Sequence, residues 1–310
     1  MRTSQILEDE LEDTYGLKFN FIRVPEYERV NLLASLIHQL PVMCQAARID
    51  PKDISLGGME VDVGGRDVHY LGEYERDTGH LWLNERDPCV FAHEWFHALD
   101  TRMARYMGLE ENCVSKAVKN GNRKAIEMMG DLHEVQPVAD RCNKYDTENG
   151  HNRYTARIDE VCARTFERYV VVEARREQVD VPMLAYMQAH IEADDPNMLC
   201  SAVYPHDDEI DRMAEPELQL CRYAGVLTME REKQDEREMN DLRELQDLVS
   251  DYKHADEFMK PFILNKFASK AESMVIGDEK PSDRTMNAVD HMFTSLGADM
   301  RDVRGFDRER

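Results

Sequence analysis

His93, Glu94 and His97 stand in the order His-Glu-Trp-Phe-His, inside the run Phe-Ala-His-Glu-Trp-Phe-His-Ala-Leu-Asp that ends at Asp100. On a helix, residues four apart share one face, so both imidazoles can aim at a single ion. Glu94 lies beside that ion without fully sharing the face. That position suits it to take a proton from a water held there rather than to ligate. The three residues together imply metal-assisted hydrolysis with Glu94 as general base.

The elements that must hold these residues are legible on either side. Asp87-Pro88 offers a helix start, with Asp as N-cap and Pro in the first turn. Phe91, Trp95, Ala98 and Leu99 supply an apolar face. Upstream, His80 to Asn84 reads as a short strand after the turn Asp77-Thr78-Gly79, with Val68 to Tyr74 as its hairpin partner. A strand leading into such a helix suits a zinc peptidase, because the strand's free edge can pair with an extended peptide.

Two histidines do not complete a catalytic zinc site, which keeps three protein ligands and one open position. A metzincin would need Gly and His where this chain has Asp100 and Met103, so that class is excluded. Asp100 lies seven residues past His93, about 10 Å along the helix at ~1.5 Å per residue. It shares the metal face and is expected to steady a ligand histidine rather than to ligate. A second helical stretch, Tyr154 through Val170, carries Glu160, Ala163, Arg164 and Glu167 on one stripe. Glu160, Glu167 and Glu134 are the candidates for the third ligand.

These motifs resemble the large polyvalent protein-associated domain, a zincin-like module of phages and conjugative elements. The resemblance runs from about residue 20 to 205. It rests on Ile54-Ser55-Leu56-Gly57-Gly58, Gly64-Gly65-Arg66, His69-Tyr70, Leu83-Asn84, the His93 to Asp100 run, Tyr154 through Val170, and Tyr204-Pro205. The two central motifs are also similar to the catalytic domain of anthrax lethal factor, a gluzincin metallopeptidase. The resemblance implies Glu160 as third zinc ligand and Tyr154 as donor to the transition-state oxyanion. The spacing from Tyr154 to Glu160 departs by one residue from the lethal factor pattern, which leaves Arg157 and Tyr204 as other donors. Asp100, Glu167 and Arg157 are then expected around the ligands rather than on the metal.

Composition bounds the rest. The chain has 310 residues, 42% of them hydrophobic, and a net charge of −23. No uninterrupted apolar run approaches the ~20 residues of a membrane span, and Met1 leads into acidic residues without a signal-like apolar stretch. The seven cysteines (Cys44, Cys89, Cys113, Cys142, Cys162, Cys200 and Cys221) are widely spaced and contain no C-x-x-C pair. Free thiols in a cytoplasm are the expectation. The acidity argues against nucleic acid and anionic membrane as partners, because phosphate contacts need Lys and Arg. It favours a protein or peptide substrate, and fixes no oligomeric state. A second function follows from the same charge: an acidic DNA mimic that inhibits a host defence enzyme, with a structural or vestigial zinc site.

The expected architecture is α+β and predominantly helical, zincin-like, with a small mixed or antiparallel sheet beside the His93 helix. Residues 1–225 are expected to form this domain, and 226–310 a helical extension. Residues 4–48 read as helix interrupted near Val24-Pro25, which leaves 54–84 as the β region. Asn143 to Asn152 reads as an exposed loop near the cleft, and Pro182 to Tyr204 contains another helix. Met229 to Asp251 reads as a solvated helix anchored by Leu242, Leu245 and Leu248. Gly277 to Pro281 precedes a last helix, Arg284 to Leu296, and a tail.

Overall fold

The computed structural model describes residues 2–66, 71–85, 90–150, 154–181, 203–207, 209–276 and 281–296. Asp87-Pro88, His69-Tyr70 and most of the helix expected after Pro182 lie outside these residues, as does the tail. The chain divides into two compact units, Met1–Glu230 and Arg231–Arg310. It is α+β and predominantly helical, with one small mixed sheet among the described residues.

Helix α1 (Thr3–Tyr15) ends at Gly16, whose φ of 66° lets its N–H turn back onto the carbonyl of Glu12. A Cβ at Gly16 would lie 2.8 Å from the Ser55 hydroxyl, so the close approach also demands glycine. Strand β1 (Lys18–Ile22) follows directly. This corrects the helical reading of 4–48 and the confinement of strands to 54–84. Phe19 and Phe21 alternate with Lys18, Asn20 and Ile22, a period of two that a half-covered strand requires. Helix α2 (Glu26–Ala47) buries Leu32, Leu33, Leu36, Leu40 and Met43 against α1 and a later helix. By length and composition α2 would suffice to cross a membrane.

After a 3₁₀ turn (Pro51–Ser55), strands β2 (Glu60–Gly64), β3 (Gly72–Tyr74) and β4 (Leu81–Leu83) complete a sheet in the order β1-β2-β4-β3. β1, β2 and β4 are parallel, and β3 is the antiparallel edge strand. The expected hairpin is therefore present, with β3 and β4 joined through Asp77–Gly79. Trp82 of β4 anchors the sheet by donating from Nε1 to the Gly64 carbonyl at 2.8 Å.

Helix α3 (Phe91–Tyr106) carries the histidine motif and packs along α7 (Ile158–Arg176). Trp95 and Phe96 of α3 stack on Phe166 of α7, with ring centroids 5.5 and 5.3 Å away. Such pairs contribute on the order of 1 kcal/mol beyond the area they bury. Trp95 also donates to the Ile54 carbonyl at 2.7 Å. Arg102 ties the same helix to the Leu56 and Gly79 carbonyls. These contacts fix the rotation of α3, and with it the direction in which the two histidines face.

Between the motif helices lie α4 (Val114–Lys119), α5 (Arg123–Met129) and α6 (Gln136–Asn149). α6 corrects the loop expected over 143–152 as far as Gly150, and residues 151 and 152 lie outside the described residues. Val138, Ala139, Cys142 and Asp146 form its buried face, and the polar residues that resemble a loop are its wet side. Gly150 closes it in the left-handed conformation. Short helices α8 (Ile210–Met213) and α9 (Glu215–Cys221) pack on α7.

Helix α10 (Ala224–His254) begins in the first unit and ends in the second. The second unit has its own core. Leu245 and Leu248 of α10 meet Phe267 and Ala271 of α11 (Lys260–Ile276) and Val289, Met292 and Phe293 of α12 (Asp283–Ser295). Phe267 and Phe293 meet edge to face at 4.8 Å. Glu238 accepts from the backbone and hydroxyl of Ser282 and from the Thr285 hydroxyl, which pins the start of α12. The solvated charged helix is thus long, as expected, and its three leucines serve a separate small core.

Candidate metal centre

α3 places His93 and His97 one turn apart on the face that meets α7, with ring centroids 4.9 Å apart. α7 brings Glu160 between them. His93 Nε2 lies 3.5 Å from Glu160 Oε2, and His97 Nε2 lies 3.5 Å from Glu160 Oε1. One ligand atom from each residue falls within 4.8 Å of the others, a spacing that a metal ion can span. Two turns further along α7, Glu167 Oε2 lies 3.3 Å from His93 Nδ1. That contact fixes the proton on Nδ1 and turns Nε2 toward the shared point. The Tyr204 hydroxyl donates to Glu167 at 2.9 Å and holds this carboxylate in place.

Glu94 faces the same cleft but is held from the other side. Its Oε2 accepts from the Tyr74 backbone N–H at 2.8 Å. β3 can come this close because residue 72 is glycine. A Cβ there would lie 2.6 Å from Val90 Cγ2 and 3.1 Å from both Glu94 Cγ and the Trp82 carbonyl. The edge strand and the base are therefore fitted to each other through backbone.

Tyr154 lies ahead of α7, not on it, since the helix begins after Arg157. The turn that carries it is tied down by neighbours: Arg164 donates to the Thr155 carbonyl, and the Ala156 N–H donates to the buried Asp146. Tyr154 is 55% exposed, yet partial desolvation of the phenol and the nearby carboxylates of Glu160 and Glu94 push its pKa up, so the hydroxyl keeps its proton. Arg157 sits over the Tyr154 ring at 5.7 Å. The other sequence candidates stand elsewhere. Glu134 is half-exposed and pairs with Arg212. Asp100 accepts from the Ser115 N–H at 2.9 Å and from its hydroxyl at 2.6 Å, so it anchors α4 to α3 and reaches His97 only through its charge.

Four buried carboxylates (Glu94, Asp100, Glu160 and Glu167) surround the two imidazoles. Burial raises the pKa of Glu94 and of Asp100, as it does for any acid taken out of water. Glu160 goes the other way. Burial pushes it up, but hydrogen bonds from His93 and His97 outweigh that, and its carboxyl stays well below the usual range. His93 mirrors it. Burial pulls it down, the bonds to Glu160 and Glu167 pull harder, and it is raised to about 10. Both shifts express a local shortage of positive charge. Two imidazole nitrogens and a carboxylate oxygen are a donor set that a divalent cation accepts, and the cation would supply the missing charge.

The cleft over this group has a volume of about 860 Å³ and is lined by β3, the turn Glu75–Thr78, His93, Glu94, His97, Tyr154, Arg157 and Glu160. Sequence reasoning brings together His93, Glu94, His97, Glu160, Glu167, Tyr154 and Arg157. It misses Gly72, the Tyr74 amide, and a cluster at Asp159 that joins Arg76, Lys116 and Arg157. Asp159 does stand beside Glu160 in the first turn of α7, but acidic residues are common there for reasons of the helix dipole. Comparison of the chain with protein-family models, with curated proteins and with solved structures finds no match.

Proposed function

We propose that this chain is a zinc-dependent endopeptidase of the gluzincin type with a zincin-like domain, acting on a host or self protein of a phage or related mobile element. The observation that carries the reading is the convergence of His93, His97 and Glu160, with Glu94 beside them and bound to the edge strand. A zinc ion held by those three residues would polarise the scissile carbonyl and make the attacking water more acidic. Glu94 takes a proton from that water and passes it to the amine nitrogen as the C–N bond breaks. Its Oε2 is held by Tyr74, which leaves Oε1 for the proton. Tyr154, whose phenol keeps its proton, donates to the oxyanion that develops on the carbonyl. Glu167 keeps the His93 ring aimed inward.

The sheet supports a peptide substrate. Glu75 and Leu71 bond back to β4 through His80 and Asn84. Gly72 and the Tyr74 carbonyl therefore face the open edge, where an extended peptide can pair, while the Tyr74 N–H is held by Glu94. The experiment is Glu94→Gln. Zinc content is expected to stay unchanged, while peptide hydrolysis falls by roughly 10²–10⁴-fold. A Glu94→Gln protein that cleaves as fast as the parent contradicts the reading.

A further inference from the structure

One corner of the cleft holds more positive charge than its own structure needs. Asp159 is fully buried, and three cations reach it: Arg157 Nη2 at 2.7 Å, Lys116 Nζ at 2.9 Å and Arg76 Nη2 at 3.0 Å. A single well-placed guanidinium satisfies a buried carboxylate. Here three cations from separate parts of the chain meet one acid, which leaves two positive charges without a partner at that spot. Among the described residues, none of the three pairs with another carboxylate within 4.0 Å.

The surplus faces the cleft. Arg76 and Arg157 line it together with His93, His97 and Tyr154. Arg157 is held from two sides, by Asp159 and by the Tyr154 ring, so its guanidinium is fixed before any ligand arrives. On the neighbouring strand Glu73 and Glu75 share Arg66, which leaves one negative charge there, and Asp77 also lines the cleft, but among the described residues none of these acids lies within 4.0 Å of Arg76 or Arg157. In a chain of net charge −23, this corner is an exception that sits beside the reacting centre.

We infer that Arg76 and Arg157 form a subsite for a carboxylate of the substrate peptide, so that the bond to be cut lies next to an acidic side chain or a peptide C-terminus. The inference rests on the peptidase reading. A planar carboxylate matches the guanidinium fork, and charge-assisted hydrogen bonds of this kind distinguish it from an amide.

The test uses the zinc-loaded Glu94→Gln protein and three short fluorescein-labelled peptides. One is C-terminally amidated with a central Glu, one is amidated with Gln in its place, and one carries Gln and a free C-terminal carboxylate. Fluorescence anisotropy is expected to show the first or the third binding roughly 10-fold tighter than the second or better. The first arm identifies a side chain, and the third a terminus. The preference is expected to vanish in Arg157→Gln and to weaken in Arg76→Gln. Each variant leaves Asp159 with two cations, so its melting temperature checks that it still folds. Equal binding of all three peptides, or a preference that survives both substitutions, overturns the subsite. The two readings fail separately. A parent that cleaves peptides through Glu94 without acidic preference keeps the peptidase and loses the subsite. A parent that cleaves nothing, yet shows the arginine-dependent preference, does the reverse.

Discussion

Glu160 and Glu217 are both buried acids, on helices α7 and α9 that pack together, and they have opposite chemistry. Glu160 meets two imidazoles and stays charged. Glu217 meets none. No N–H or O–H group lies within hydrogen-bond geometry of its oxygens, its titratable neighbours are the thiols of Cys162 and Cys221 and the Asp100 carboxylate, and burial raises it to about 8. The contrast separates burial from function. Burial alone makes a carboxyl keep its proton, and only converging cations keep it ionised inside a protein. The corner at Glu160 is arranged to hold charge, whereas the one at Glu217 only tolerates an acid.

The largest effect that would sharpen this contrast is at Glu217. Its folded pKa of about 8 lies above the ordinary 4.5. Between those values the folded chain holds a proton that the unfolded chain releases, so stability falls as pH rises through that window and levels off above it. Glu217→Met removes the group. The variant is expected to melt higher than the parent at pH 8, by on the order of a few kcal/mol, with the gain shrinking toward pH 5. Thermal melts at the two pH values read this directly. A gain that is the same at both would mean that Glu217 is ionised and paired after all.

Glu167→Gln comes next. It leaves the three ligands in place but replaces the charged carboxylate that fixes His93 Nδ1 with a neutral, weaker acceptor. Metal affinity is expected to fall by roughly 10–100-fold, as measured by competition with a chelator. An unchanged affinity would detach Glu167 from the charged corner.

Glu94 lies between the two extremes, buried yet given one amide donor. Gly72→Ala tests that arrangement. The added Cβ meets Val90 and the Trp82 backbone, so β3 must shift away from α3. The cost is expected to be about 1–2 kcal/mol of stability, together with a lower kcat at unchanged zinc content. Val90→Ala in the same chain is expected to recover part of both, and a silent Gly72→Ala would release Glu94 from the strand.

How far this corner could be read in the sequence depended on the range of the contacts. His93, Glu94 and His97 lie within one turn, so their shared face follows from helical spacing alone. Glu160 and Glu167 share a stripe for the same reason, but that α7 brings this stripe onto α3 depends on Trp95, Phe96 and Phe166, which meet across about 70 residues. β1 carries an alternation of Phe19 and Phe21 that the helical reading of 4–48 passes over, because the strand is five residues long between two helices and its partner β2 is remote in sequence. The polar run of α6 conceals a helix because only Val138, Ala139, Cys142 and Asp146 turn inward. The cations at Asp159 come from three separate segments and carry no local pattern.

The central claim is that His93, His97 and Glu160 together hold one metal ion. The most direct measurement is the zinc content of the purified parent, Glu160→Ala and Glu134→Ala by atomic absorption. The account predicts close to one zinc per chain in the parent and in Glu134→Ala, and a strong loss in Glu160→Ala. A parent without metal after zinc loading, or a Glu160→Ala protein that keeps its zinc, would contradict it.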